Sequence, residues 1–281
     1  MINIIKMDLY RMFRTKSLYV IWIIAAVLMI GTTYLLKAEN TVDEFEAASQ
    51  QEIEESYTEG VPALGIQVMI PAGSDGKITV KDIFYGNAQS KFYALFLVIF
   101  TVIFVMADIN SGYIKNIGGQ IQNRGYLVIA KAISLLVYTV LTMAAMVLVQ
   151  VLACRLTLGY MEFGDIKSFL VYTGIQILLH YALLVICMAV AITLKSSVAS
   201  MVIAICLCID MMVIIYSAID KVVSKMGVKD FHLIKYTVTG QIAMLSQNPD
   251  RKECLFAAVI AAGFAVVCMA AGSVVFKKRD I

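Results

Sequence analysis

Six long apolar runs, at residues 18–36, 92–107, 132–154, 168–194, 197–219 and 254–276, constrain this chain more than any other feature. About 20 apolar residues in a helix cross the roughly 30 Å hydrocarbon core of a bilayer. Lipid offers no partner to a free backbone N–H or C=O, so a span must be a helix or part of a closed barrel. The alternation of a barrel strand is absent from these runs. The expected fold is therefore an all-α polytopic membrane protein with six transmembrane helices. The second run, 92–107, is short and suffices only if it takes in Asp108 and Ile109 or tilts little. Only 15% of the 281 residues are charged, against about a quarter in a soluble domain.

Orientation follows from lysine and arginine. Segments 1–17, 108–131, 195–196 and 277–281 lie on one side and hold 11 basic residues in 48 positions. Segments 37–91, 155–167 and 220–253 lie on the other and hold 12 in 102. The density places both termini in the cytoplasm, with the protein a multi-pass component of the cell membrane. The first apolar run is too long for a cleaved signal peptide, and no small-x-small site follows it. Ile2, Ile5, Leu9, Met12 and Phe13 form one stripe, broken by Lys6, Arg11, Arg14 and Lys16. Residues 1–17 should thus form an amphipathic helix in the cytoplasmic interface, in contact with membrane lipid. Residues 277–281 form a basic cytoplasmic tail.

Two segments stand apart on the outer side. Residues 37–91 form an extracytoplasmic insert between spans one and two. Its first part carries Asp43, Glu44, Glu46, Glu52, Glu54, Glu55 and Glu59. Its second part alternates Ile66, Val68 and Ile70, then Ile78 and Val80, around a Pro71–Gly76 turn, which suggests a β-hairpin. Residues 220–253 are too polar to span, and 231–246 should form one or two short helices in the outer leaflet.

The chain carries no catalytic motif. GxxxxGK[ST] and HExxH are absent, and there are two histidines in all. The six cysteines sit within or at the ends of apolar runs without metal-ligand spacing, and read as small apolar residues. A net charge of +3, with basic residues bordering spans, excludes a nucleic-acid surface. The chain is therefore not expected to be an enzyme, and any energy for transport must come from a partner or an ion.

Two intramembrane residues stand out. Asp210 lies mid-way along span five, and a carboxylate there must face protein or water. His180 lies mid-way along span four. The two are nearly equidistant from the turn at Lys195–Ser196, so an antiparallel hairpin would bring them to one depth as a polar pair. Span six holds Ala257, Ala258, Ala261, Ala262, Gly263, Ala265, Ala270, Ala271 and Gly272, and small residues at spacing four suit close helix packing.

The segment after span two is the most informative. Asp108 leaves the membrane, Gly112 permits a bend, and Tyr113, Ile114, Lys115 and Asn116 follow. A polar turn then ends in Arg124, and Lys131 opens span three. This segment resembles that of the permease subunits of type-2 ABC exporters. There, an acidic residue ends span two, a Gly-x-[Ile/Leu]-[Lys/Arg] segment follows, and a small-residue–Arg turn precedes a lysine. Asp108, Gly112, Ile114, Lys115, Arg124 and Lys131 match, while Ile121-Gln122-Asn123 stands where the turn usually has a proline. The six spans, basic N-terminal helix, large first outer loop and tight Lys195 turn match as well.

The resemblance implies a homodimer of this chain bound to two copies of a separate ABC ATPase. ATP and Mg would be held by that partner, with no cofactor in this chain. Residues 109–124 would be the coupling helix docked into the ATPase, and spans two and five would line the path. The length and acidic insert are similar to bacterial exporters of amphipathic peptides, including lantibiotic-immunity and modulin-toxin exporters. Two alternatives use other features: an ion-coupled carrier working through Asp210 and His180, and a non-transporting sensor or scaffold built on the outer insert.

Overall fold

The computed structural model describes residues 2–39, 68, 78–112, 125–225 and 231–277. Among these it is all-helical. The elements are α1 (Ile2–Arg14), α2 (Lys16–Glu39), α3 (Val80–Gln89), α4 (Phe92–Asn110), α5 (Gly125–Thr157), α6 (Ile166–Leu194), α7 (Ser197–Cys208) and α8 (Met212–Lys225). A 3₁₀ turn (Leu233–Tyr236), α9 (Val238–Met244) and α10 (Arg251–Lys277) complete the order. The acidic part of the insert and its expected hairpin turn, together with Tyr113, Ile114, Lys115, Asn116, Arg124 and the 278–281 tail, lie outside the described residues. Of the expected hairpin's second strand, Val80 instead opens α3 behind the Thr79 cap.

Five helices are long and apolar enough to cross a membrane: α2, α4, α5, α6 and α10. The count reaches six if α7 and α8, bent by 69°, form one span. The span expected over 197–219 is thus two helices with a break between them. Helix α7 has 12 residues, or about 18 Å of rise, too little for the hydrocarbon core. It stops at Ile209, and Asp210 takes the left-handed conformation at φ +60°. Asp is among the few side chains that tolerate that region.

Helix α4 is the buried centre. It packs against α6 and α7 on one side and α2 and α5 on others. Its aromatic side chains fill the core, with Phe100 stacked on Phe104 and 4.4 Å from the Tyr138 ring centroid. The most extensive helix pair is α6 with α10. Ala257, Ala261 and Ala265 are buried on α10, which is the close approach that small residues at spacing four allow. The opposite faces of α2 and α10 expose Val27, Tyr34, Leu255 and Val266, as lipid-facing helices do.

The connections are capped by local chemistry. Lys195 (φ +57°) ends α6, and the Ser196 side chain accepts from Ala199 N to start α7. The tight hairpin turn expected there is present. Thr79 and Asp82 form a reciprocal capping box on α3. Every residue of α3 is buried, including Lys81, Asp82, Asn87 and Gln89. The expected short helices between spans five and six are the 3₁₀ turn and α9. Helix α9 packs on α6 and α3.

Candidate functional site

Charged side chains gather at the two ends of α4. At the end nearest α1, four of them meet. Arg11 Nη2 donates to Asp108 Oδ1 at 2.5 Å, and Lys131 Nζ lies 2.5 Å from Asp108 Oδ2. Lys131 Nζ also donates to Asp8 Oδ1 at 3.3 Å and stands 3.8 Å above the Phe104 ring. Two cations thus face two carboxylates, and Asp8, Asp108 and Lys131 are all buried. Buried charges persist only when paired in this way. The cluster joins α1 to the end of α4 and the start of α5.

That position matters because residues 113–124 connect these two helices. Asn110 Nδ2 additionally donates to Ser197 Oγ at 3.0 Å, tying the end of α4 to the start of α7. Gly112 sits at φ +68°, a conformation glycine adopts at little cost. The helix ends on either side of 113–124 are therefore clamped to each other. Sequence reasoning singled out Asp108, Gly112 and Lys131, and the structure brings Asp108 and Lys131 into contact. Asp8 and Arg11 were missed as members. Their signal is the i, i+3 spacing of opposite charges on an otherwise amphipathic helix.

Burial pushes the Asp8 carboxyl above its ordinary 3.8, with Asp108 adding to the rise and Lys131 opposing it. A carboxyl raised on folding contributes stability below pH 3.8 that is lost as pH rises through the folded value. Asp8→Asn removes this loss. Thermal melts from pH 4 to pH 7 should shift steadily in favour of the Asn variant relative to wild type. A difference between the two proteins that is constant with pH would contradict the assignment.

At the other end of α4, about 28 Å away for a 19-residue helix, Lys91 meets Asp210. Their Nζ and Oδ1 atoms form an ion pair, with the lysine side chain fully buried and the aspartate 6% exposed. Lys91 joins α3 to α4 at φ +60°, and Asp210 joins α7 to α8 at the same φ. The pair thus links two backbone breaks.

This corrects the expected His180–Asp210 pair. His180 is buried, but its Nδ1 donates to the Gln176 carbonyl of its own helix at 2.7 Å, and its Nε2 has no hydrogen-bond partner among the described residues. Equal depth says nothing about direction around a helix axis. Helix α7 packs on α4 as well as α6, and the turn at 209–211 carries Asp210 to the start of α4. The sequence did contain a clue: Lys91 abuts an apolar run, and a buried carboxylate requires a cation.

A polar network lies near that far end. Gln150 Nε2 donates to Thr33 Oγ1 at 3.2 Å, and Asn87 Nδ2 donates to Gln150 Oε1 at 3.4 Å, linking α2, α5 and α3. Lys81 Nζ donates to Ser168 Oγ at 3.0 Å, and Gln247 Nε2 donates to Asp82 Oδ1 at 2.5 Å. Helix α3 is thereby pinned on every side.

A family model described as "Protein of unknown function (DUF2705)" matches residues 47–281, most of the chain. The chain belongs to the DUF2705 family. No curated protein matches it. In this DUF2705 member the matched region contains Lys91, Asp108, Lys131 and Asp210, so both ion-paired ends of α4 fall within it. Asp8 and Arg11 precede it.

Proposed function

We propose that the protein is the membrane-spanning permease of an ATP-driven exporter, assembled as a dimer with a separate ATPase. The observation that carries this reading is the clamp at the α1 end of the bundle. Asp108 and Lys131 hold together the two ends of segment 113–124, and α1 braces them through Asp8 and Arg11. A segment that must receive force from a partner needs such a rigid base, because a loose loop would absorb the movement. In this reading α1 lies in the cytoplasmic interface, and segment 109–124 is the coupling element. Helix α4 with α7 lines the path for an amphipathic, peptide-like substrate. The positive-inside density supports the orientation.

The ion-coupled carrier loses its proton-linked pair, since Asp210 is engaged by Lys91. The sensor reading rests on the acidic insert alone.

Gly112→Ala and Lys115→Ala test the coupling element. Each should lower substrate-stimulated ATP hydrolysis of the assembled complex about tenfold, with expression and partner binding retained. Wild-type stimulation in both variants would remove segment 109–124 as the coupling element.

A further inference from the structure

Three features make the Lys91–Asp210 pair more than a structural tie. First, its two ends are unequally held. Lys91 follows α3, whose ten residues are all buried. Asp210 precedes α8, where Val213 is the buried member of 14 residues. The cation therefore sits on the fixed side, and the carboxylate sits at the root of a loosely packed arm. Second, both residues occupy turn positions with left-handed backbone, where a small change of dihedral re-aims everything beyond. Third, α7 is too short to reach the far membrane face, so the 69° bend at Asp210 decides whether α8 lies across the bundle or continues away from it. Past the pair, α8 is attached through Asp220, whose Oδ1 accepts from Leu233 N at 2.9 Å.

We propose that the Lys91–Asp210 ion pair is a latch holding the far end of the bundle closed, and that separating it swings α8 away and admits water between α4 and α7. In a low-dielectric interior the two charges stay paired, and only incoming water solvates them apart. The latch is therefore bistable: dry and paired, or wet and open. This inference rests on the transport reading for its purpose but not for its test.

Cys208 is a native reporter. It is buried with no exposed surface and lies two residues before Asp210. The experiment uses the full chain in right-side-out vesicles, with Cys154, Cys187, Cys206, Cys254 and Cys268 replaced by alanine. A membrane-impermeant maleimide should label Cys208 slowly. Lys91→Met and Asp210→Asn should each raise the labelling rate about tenfold or more, because the buried charge left behind loses its ion-pair counter-charge and favours hydration. Lys91→Arg keeps the charge and should remain slow. If Lys91→Met fails to fold, Asp210→Asn gives the same reading with a near-isosteric side chain. Slow labelling in the folded neutral variants, or fast labelling in Lys91→Arg, would overturn the latch.

Adding the partner ATPase separates the latch from the exporter. Labelling that follows the substitutions but ignores ATP turnover keeps the latch and removes the exporter reading. Labelling that rises with ATP turnover but is indifferent to the substitutions keeps the exporter and removes the latch.

Discussion

Lys131→Met is expected to destabilise the protein by about 3–5 kcal/mol, the usual cost of removing one partner from a buried ion pair. The ammonium touches Asp8 and Asp108 and covers the Phe104 ring. Methionine fills a similar volume but takes from Asp8 its hydrogen-bonded cation, leaving Arg11, which pairs with Asp108, as the other positive charge acting on it. In detergent the melting temperature should fall by roughly 10 °C. Adding Asp8→Asn to Lys131→Met removes the orphaned carboxylate and should recover part of the loss, a coupling that a double-mutant cycle reads directly. Strict additivity of the two changes would show that the residues do not act as a unit.

Gly240→Ala should be nearly as damaging, for a steric reason. Gly240 lies in α9, directly over the carbonyl of Ile234 in the preceding 3₁₀ turn. A Cβ there would stand 2.7 Å from Ile234 Cγ1 and 2.8 Å from the Ile234 carbonyl carbon, and nearer still to its oxygen. The obstacle is backbone, which cannot rotate aside as a side chain does. The carbonyl is also held by the Thr237 amide at 3.0 Å. Overpacking of this kind costs about 1–3 kcal/mol, and more where backbone must move. Gly174→Ala is the control, because a Cβ there meets nothing within 4 Å. Alanine is the better helix former by about 1 kcal/mol, so the control should be neutral or stabilising. Equal loss in both variants would contradict the tight approach of α9 to the 3₁₀ turn.

The spans were readable in the sequence because membrane thickness is a one-dimensional ruler, and run length can be compared with it directly. The small residues of span six were readable as packing positions for a similar reason, but which of them face inward, Ala257, Ala261 and Ala265, depends on where α6 lies. The helix ends were harder. Helix α5 starts at Gly125 rather than at residue 132, because Lys131 marks the edge of the uncharged run while the helix continues through it into the mostly apolar Tyr126–Ala130.

The ion pairs divide along the same line. Asp108 and Lys131 flank one segment, and their nearness followed from chain connectivity. Asp210 and Lys91 are 119 positions apart, and nothing local aims one at the other. Depth counting brought Asp210 level with His180, yet depth leaves the angle around the helix free. The break at 209–211 then turned the carboxylate toward α4. A lone Asp within an apolar run marks both a required partner and a residue tolerant of left-handed backbone, and the second of these properties located the bend.

The most direct test of the exporter account is purification of the tagged full chain from its native membrane in lipid nanodiscs, followed by identification and stoichiometry of what accompanies it. The account predicts an ATPase with a phosphate-binding loop, present in two copies per two copies of this chain and hydrolysing ATP in the isolated particle. Recovery of the intact chain with no such ATPase, under conditions that preserve its own oligomer, would contradict it.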